Sequence, residues 1–197
     1  MTRIVSITSS RADIGILEPV WNAVLKHVDC ELHIFLTGMQ RATGERSNEG
    51  IPSAAILHEG GSDLSGEPQK AAQAMGDIAS SAGMLYGEIQ PDVILVTGDR
   101  LDMLPSAVAS LPFNIPLVHL HGGEVTEGAV DDRIRHALTK LSHLHCASSP
   151  GARERLLMLG EEDWRIHLTG APGLDTLRNA PQMTAAAFAE AYKTLLF

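Results

Sequence analysis

Residues 91–145 read PDVILVTGDRLDMLPSAVASLPFNIPLVHLHGGEVTEGAVDDRIRHALTKLSHLH, and this stretch decides the fold. Two apolar runs, Val93–Val96 and Pro116–Leu120, end in loops that between them are rich in Gly, Asp, Arg, His and Glu. A helical pattern follows over Val130–Leu141 and carries Asp131, Arg135 and His136 on adjacent turns. Apolar strands that empty into charged, glycine-bearing loops are how an open parallel sheet displays a site at its carboxyl edge.

The same alternation extends in both directions. The run Ile4–Thr8 halts at Ser9-Ser10-Arg11, and Ile16, Leu17, Val20, Trp21, Val24 and Leu25 then recur near helical spacing. Further strands are expected at Glu31–Thr37, Ala54–His58, His143–Ala147 and Arg165–Thr169. The intervening helices are expected at Glu67–Gln90, Asp102–Ser110 and Pro150–Leu159, with three glycines testing the continuity of the first. Met39–Ile51 reads as a loop or short helix, and Gly60–Gly66 as a glycine-rich connection. Strands alternating with helices at this spacing imply βαβ units. The expected fold class is therefore α/β, a Rossmann-like open parallel sheet of about seven strands with helices on both faces. Residues 1–170 form that domain. Residues 171–197, which end in a helix over Thr184–Leu196, read as a connector.

Composition narrows the function classes. A chain of 197 residues with 44% hydrophobic and 20% charged residues suits one globular domain. A formal charge of −9 argues against nucleic acid, because neutralising phosphates needs a basic surface. Cys30 and Cys146 sit inside apolar runs and read as buried free thiols. The opening MTRIVSITSS is too polar for a secretion signal, and no apolar run reaches the ~20 residues of a membrane span. These features suit a cytoplasmic protein.

Several side chains have chemistry to offer. Asp99, in Gly98-Asp99-Arg100, follows a strand directly, where a carboxylate stays ionised and binds or accepts a proton. A helix N-cap beside a solvated Arg100 is the plainer alternative. Alternation places His119 and His121 on one face of a strand, Gly122 and Gly123 allow close backbone approach, and Glu124 lies just beyond. His119, His121, His143 and His145 raise the question of a metal. Strand histidines are more often hydrogen-bonded structural groups, so no metal is assigned. Asp131 and Arg135 are four apart and share a helical face, which permits pairing. Arg11, at the end of the first strand, is a natural anion contact. No GxGxxG follows the first strand, and neither GxxxxGK[ST] nor GxSxG occurs.

The wording SRADIG within Ser9–Gly15, TGM (37–39), GDR (98–100), HLHGGE (119–124), DDRIRHALTKLSHLH (131–145) and GAPGLD (170–175) resembles the hydrolysing UDP-N-acetylglucosamine 2-epimerases of nonulosonic- and sialic-acid pathways. The resemblance runs from Ile4 to about Asp175. It implies the first of two Rossmann-like domains of a GT-B-like architecture, with the active site in the cleft between them. It further implies loss of the C2 proton and UDP from a UDP-sugar, then addition of water to give N-acetylmannosamine or a related 2-epimer. No cofactor is implied.

Carried over, Asp99, Glu124 and Asp131 are the catalytic carboxylates, gathered in one pocket, and Arg135 orients them or contacts phosphate. Arg11, Arg100, Gln40, His121, Gly122, Gly123 and His136 bind the nucleotide-sugar. This chain departs from the family's common wording at Gln40, Ile14 and Asp102, where histidine, tyrosine and glutamate are usual. An exposed cleft face, apolar and charged at its edge, is expected to invite self-association, so a homo-oligomer is expected. Two other readings stand beside the resemblance: a non-catalytic nucleotide-sugar-binding domain of the same fold, and half of a glycosyltransferase with the same two-domain plan.

Overall fold

The computed structural model describes residues 1–38, 50–128, 130–179 and 183–195. Seven strands are present among them: β1 (Thr2–Thr8), β2 (Cys30–Leu36), β3 (Ile56–Glu59), β4 (Val93–Thr97), β5 (Leu117–Leu120), β6 (Leu144–Ala147) and β7 (Ile166–Leu168). They form one sheet in the order β3-β2-β1-β4-β5-β6-β7, and every neighbouring pair is parallel. The helices are α1 (Arg11–Val24), α2 (Pro68–Ile89), α3 (Met103–Ala109), α4 (Val130–Leu141), α5 (Pro150–Met158), α6 (Gly173–Asn179) and α7 (Ala185–Leu195). The Rossmann-like α/β class read from the sequence is the one found.

Alternation along the strands sorts the core into two layers. Val5, Ile7, Phe35, Ile94, Val96 and Leu117 point to one face, where Ala82, Leu85 and Tyr86 of α2, Met103 and Ala107 of α3 and Ile134 and Leu138 of α4 cover them. Ile4, Leu32, Ile34, Leu36, Leu95 and Leu120 point to the other, against Ile14, Leu17 and Trp21 of α1. Trp21 is fully buried, and its indole N–H donates to Ser6 Oγ at 2.8 Å, so the large ring leaves no unpaired polar atom. A smaller cluster of Ala147, Ala152, Leu156 and Ile166 seats α5 on β6 and β7.

Local departures from the expected elements have local causes. β3 begins at Ile56 rather than Ala54, because Ala55 N–H donates to Pro52 O and closes a turn there. α2 runs unbroken through Gly76, Gly83 and Gly87, its other face held by buried Ala74, Ile78, Ala82, Leu85, Tyr86 and Ile89. The burial of that face outweighs the glycine penalty, about 1 kcal/mol each. α6 forms where only a change of pattern was expected, and it packs on α1. α7 starts one residue late, at Ala185, where Thr184 Oγ1 accepts from Ala187 N–H. Both cysteines are free but only half-buried. Residues 39–49, part of the segment expected to be a loop or short helix, lie outside the described residues. Among the described residues no helix is long and apolar enough to cross a membrane.

Inside the sheet, His119 on β5 lies in register with His145 on β6, and both are fully buried. Burial drives the His119 pKa down to about 4, and the charges of His145, Arg135 and His121 add to the depression. The Gly98 carbonyl accepting from its Nε2 at 2.8 Å opposes it only in part.

Two predictions follow from this packing. A Cβ at Gly61 (φ +77°) would sit 2.4 Å from Ile78 Cγ1 and 2.9 Å from its Cα, whereas one at Gly76 meets nothing within 4 Å. Gly61→Ala is therefore expected to cost about 2–3 kcal/mol in urea unfolding. Gly76→Ala is expected to add about 0.5–1 kcal/mol. The second concerns acid. An unfolded His119 takes up a proton near 6.5, while the folded ring stays neutral until about 4. Its contribution is therefore complete above pH 6.5 and shrinks by up to about 3 kcal/mol as pH falls to 4. His119→Gln should flatten the stability–pH curve in that window, and an unchanged slope would remove His119 as its source.

Candidate functional site

The strand order reverses between β1 and β4, which opens a crevice at their carboxyl ends, the usual ligand position in open parallel sheets. On the β1 side, Ser9 and Ser10 N–H both donate to Asp13 Oδ2 at 2.9 Å, and Ser9 Oγ donates to it at 3.1 Å. Asp13 is buried in the first turn of α1, so its charge faces the amide dipoles of the helix start. On the β4 side, Gly98 takes φ +69° and turns the chain, its N–H held by Leu120 O at 2.9 Å. Arg100 then bridges the crevice, Nε donating to Ser9 Oγ at 2.9 Å and the guanidinium pairing with Asp102 at 3.3 Å. Asp102 is itself buried against Gly38, at whose position a Cβ would lie 2.5 Å from Oδ2.

The loop after β5 supplies the opposite wall. β5 stops at Leu120 and His121 takes φ +64°, so strand alternation does not reach it. His119 and His121 therefore do not form the same-face pair expected. His119 turns to Gly98 O and Thr139, while His121 Nδ1 donates to Glu124 Oε1 at 2.8 Å. Elsewhere in the candidate quartet, His145 Nε2 meets Glu161 at 3.0 Å and His143 Nδ1 accepts from Leu117 N–H at 3.3 Å. The close approach that Gly122 and Gly123 permit is to protein. A Cβ on Gly122 would fall 2.9 Å from the His119 ring, and one on Gly123 (φ +78°) would fall 2.2 Å from Ala152 O.

Arg135 of α4 joins the two walls. It is 4% exposed. Its guanidinium pairs with Asp99 Oδ2, and donates to Asp132 Oδ1, Glu124 O and Thr126 Oγ1 at 2.9 Å each. The expected Asp131–Arg135 pair is not what forms. Asp132, one turn away at i−3, and the distant Asp99 take the guanidinium, which points Asp131 elsewhere. Glu124 Oε1 accepts from Ser148 Oγ at 2.5 Å as well as from His121. Burial alone would raise the Glu124 carboxyl, but the Ser148 and His121 hydrogen bonds and the His121 and Arg135 charges outweigh it and hold it below its usual range.

These groups enclose a cleft of about 310 Å³ lined by Asp13, Ile16, Thr97, Gly98, Asp99, Arg100, His121, Glu124 and Arg135. Asp131 lies next door, in a cleft of about 280 Å³ with Leu64, Ser65, Arg100, Leu101 and Asp102. Thus two of the three expected carboxylates share a pocket, and Arg100 is the wall between them and the third. Arg11 is exposed on the first turn of α1 and lines a separate hollow with Ile14, Gly15, Glu18 and Gly50. His136 is exposed on α4 and lines none of these three, and Gln40 lies outside the described residues. Asp13, Thr126, Asp132 and Ser148 were not anticipated as site groups. Asp13 alone carried a sequence signal, a carboxylate three positions into a helix begun by Ser10.

An arrangement of two carboxylates, one held by an arginine and one by a serine and a histidine, suits proton transfer beside developing charge. The UDP-N-acetylglucosamine 2-epimerase family pattern matches residues 22–196. The chain is 35% identical over 186 residues to the UDP-N-acetylglucosamine 2-epimerase of Neisseria meningitidis, covering 91% of this chain and 48% of that protein. It is likewise 35% identical to a Legionella pneumophila UDP-N,N'-diacetylbacillosamine 2-epimerase (hydrolyzing), over 96% of this chain and 51% of that one.

Among solved structures, the Neisseria meningitidis enzyme bound to UDP-GlcNAc superposes with a TM-score of 0.77 at 20% identity. It covers 90% of this chain and 49% of that one. A lipopolysaccharide outer core galactosyltransferase in its apo form shares the fold more distantly, with a TM-score of 0.61 at 12% identity, over 86% and 45% of the two chains. The chain spans about half the length of the curated relatives it matches. Its sheet is the Rossmann/GT-B-like fold, and the chain belongs to the UDP-N-acetylglucosamine 2-epimerase family.

Proposed function

We propose that this chain is the first lobe of a hydrolysing 2-epimerase that acts on UDP-N-acetylglucosamine or a related UDP-sugar. UDP and a free 2-epimerised N-acetylhexosamine, such as N-acetylmannosamine, are the products. The observation that carries the reading is the cleft at the β1–β4 reversal, which Asp99 and Glu124 line together with a buried arginine paired to Asp99. The relative from Legionella pneumophila, hydrolysing by name, supports that branch.

In the proposed reaction a carboxylate takes the C2 proton, and the electron pair that this frees forms the C1–C2 double bond as the bond to the UDP oxygen breaks. Water then delivers hydroxide to C1 and a proton to the opposite face of C2. Asp99, Glu124 and, across Arg100, Asp131 are the acids available. Arg135 neutralises charge and fixes Asp99, and Arg100 meets the sugar diphosphate between the two clefts. Arg11, one hollow away, meets the nucleotide, and Gln40 and His136 are proposed as further contacts to the nucleotide-sugar. Residues 1–170 are assigned to this lobe and 171–197 to a connector, of which α6 packs back on α1. The reaction belongs to the cytoplasm, and the protein works as a homo-oligomer.

Two measurements test the reading. Alone, the chain should show negligible UDP release from UDP-N-acetylglucosamine. Joined to the remaining half of the Neisseria meningitidis relative, it should release UDP together with N-acetylmannosamine. Saturable ligand binding by the isolated chain with no turnover in the joined protein would favour the non-catalytic alternative. In the joined protein, Asp99→Asn should lower kcat by roughly 10²–10⁴-fold, the worth of a general acid–base group. Asn keeps an acceptor for Arg135, so the fold should survive. A rate within threefold of the unmodified protein would take Asp99 off the list of reacting groups.

A further inference from the structure

The Glu124 carboxylate is asymmetric. Oε1 receives two donors, His121 Nδ1–H at 2.8 Å and Ser148 O–H at 2.5 Å, while no hydrogen bond is recorded to Oε2 among the described residues. Glu124 lines the cleft, but Ser148 does not; it stands behind, at the end of β6. Its neighbour Ser149 has a different task, accepting from Ala152 N–H at 3.2 Å as the N-cap of α5. The two serines therefore fix two things from one turn, the start of α5 and the direction of Glu124.

The loop that carries Glu124 is tied to the same helix. Arg155 Nε donates to Gly123 O, and the bare Cα of Gly123 lies against Ala152 O and Leu156. Ser148 thus reaches a loop whose backbone is already docked on α5, and little freedom remains for the carboxylate to rotate.

We infer that Ser148 is a positioning residue for the proposed reaction: with His121 it occupies Oε1 of Glu124, which leaves Oε2 as the atom that takes the substrate proton. A carboxylate that accepts two hydrogen bonds is stabilised in its ionised form, so Glu124 enters the reaction as the base. That assignment leaves the acid role to another group of the cleft. The charged and titratable groups facing Glu124 are His121 from its own loop, Arg135 from α4, and Asp99 and Arg100 from the β4 loop, with Asp13 of α1 on the far wall. The proposal rests on the epimerase reading given above, and its test separates the two.

Carbon-13 NMR of the Glu124 carboxyl in the chain itself follows its titration with no need for turnover. Ser148→Ala should raise the midpoint by roughly one pH unit, the worth of one hydrogen bond to a charged group. Ser148→Thr, which keeps the hydroxyl, should restore it. In the joined two-lobe protein, Ser148→Ala should lower kcat roughly tenfold with KM nearly unchanged, and move the acid limb of the rate profile to higher pH. A midpoint that does not move in Ser148→Ala, or a Ser148→Thr protein no better than Ser148→Ala, overturns the positioning role. If the midpoint moves as expected but the joined protein with native Ser148 releases no UDP, the epimerase reading is what fails, and the role of Ser148 in that reaction falls with it.

Discussion

A buried guanidinium holds this site together. Removing an arginine from water is costly unless its N–H groups are matched, and here Arg135 finds Asp99, Asp132, Thr126 and the Glu124 carbonyl. Those partners come from the end of β4, the first turn of α4 and the irregular loop after β5. One side chain therefore sets the spacing between two loops that no ladder hydrogen bonds connect. It also ties Asp99 and the Glu124 backbone to one cleft, which both side chains line. Among the described residues its Nε is buried without a partner, while the four contacts that are made call for a planar, multiply donating cation.

The sheet explains why these loops meet at all. Parallel strands send all their carboxyl ends to one edge, and the order β3-β2-β1-β4-β5-β6-β7 separates the connections on either side of β1 and β4. Arg100 crosses that gap to Ser9, and Asp13 caps the turn on the near side. On the far side Gly123 and Arg155 lock the His121–Glu124 loop onto α5. The core beneath is divided by strict alternation, so β1, β2, β4 and β5 each contribute to two helical layers, while the segments after β1, β4 and β5 contribute to one site.

Much of this was readable in the chain. Runs such as Ile4–Thr8 and Val93–Val96 have no helical alternative at that length, and the helical spacing after each set the topology class. The residues HLHGGE and GDR announced the loops that matter. What escaped was long-range geometry. Spacing on a helix offers Asp131 to Arg135, but Asp99, 36 residues away, is nearer in space. Alternation offers His121 as a strand residue, but the strand ends one residue earlier and the backbone turns left-handed. The two glycines read as room for a ligand, yet the room is taken by His119 and α5. Ser148 carries no local signal, because its partner is 24 residues away on another loop.

The proposed nucleotide-sugar contact lies at the carboxyl ends of β1, β4 and β5. Backbone amide chemical-shift mapping of the chain with UDP-N-acetylglucosamine at millimolar concentration tests it most directly. The account predicts perturbations concentrated at Ser9–Asp13, Thr97–Arg100, His121–Thr126 and Asp131–Arg135. Shifts confined to the amino ends of the strands, or to the outer faces of α2 and α3, would contradict it.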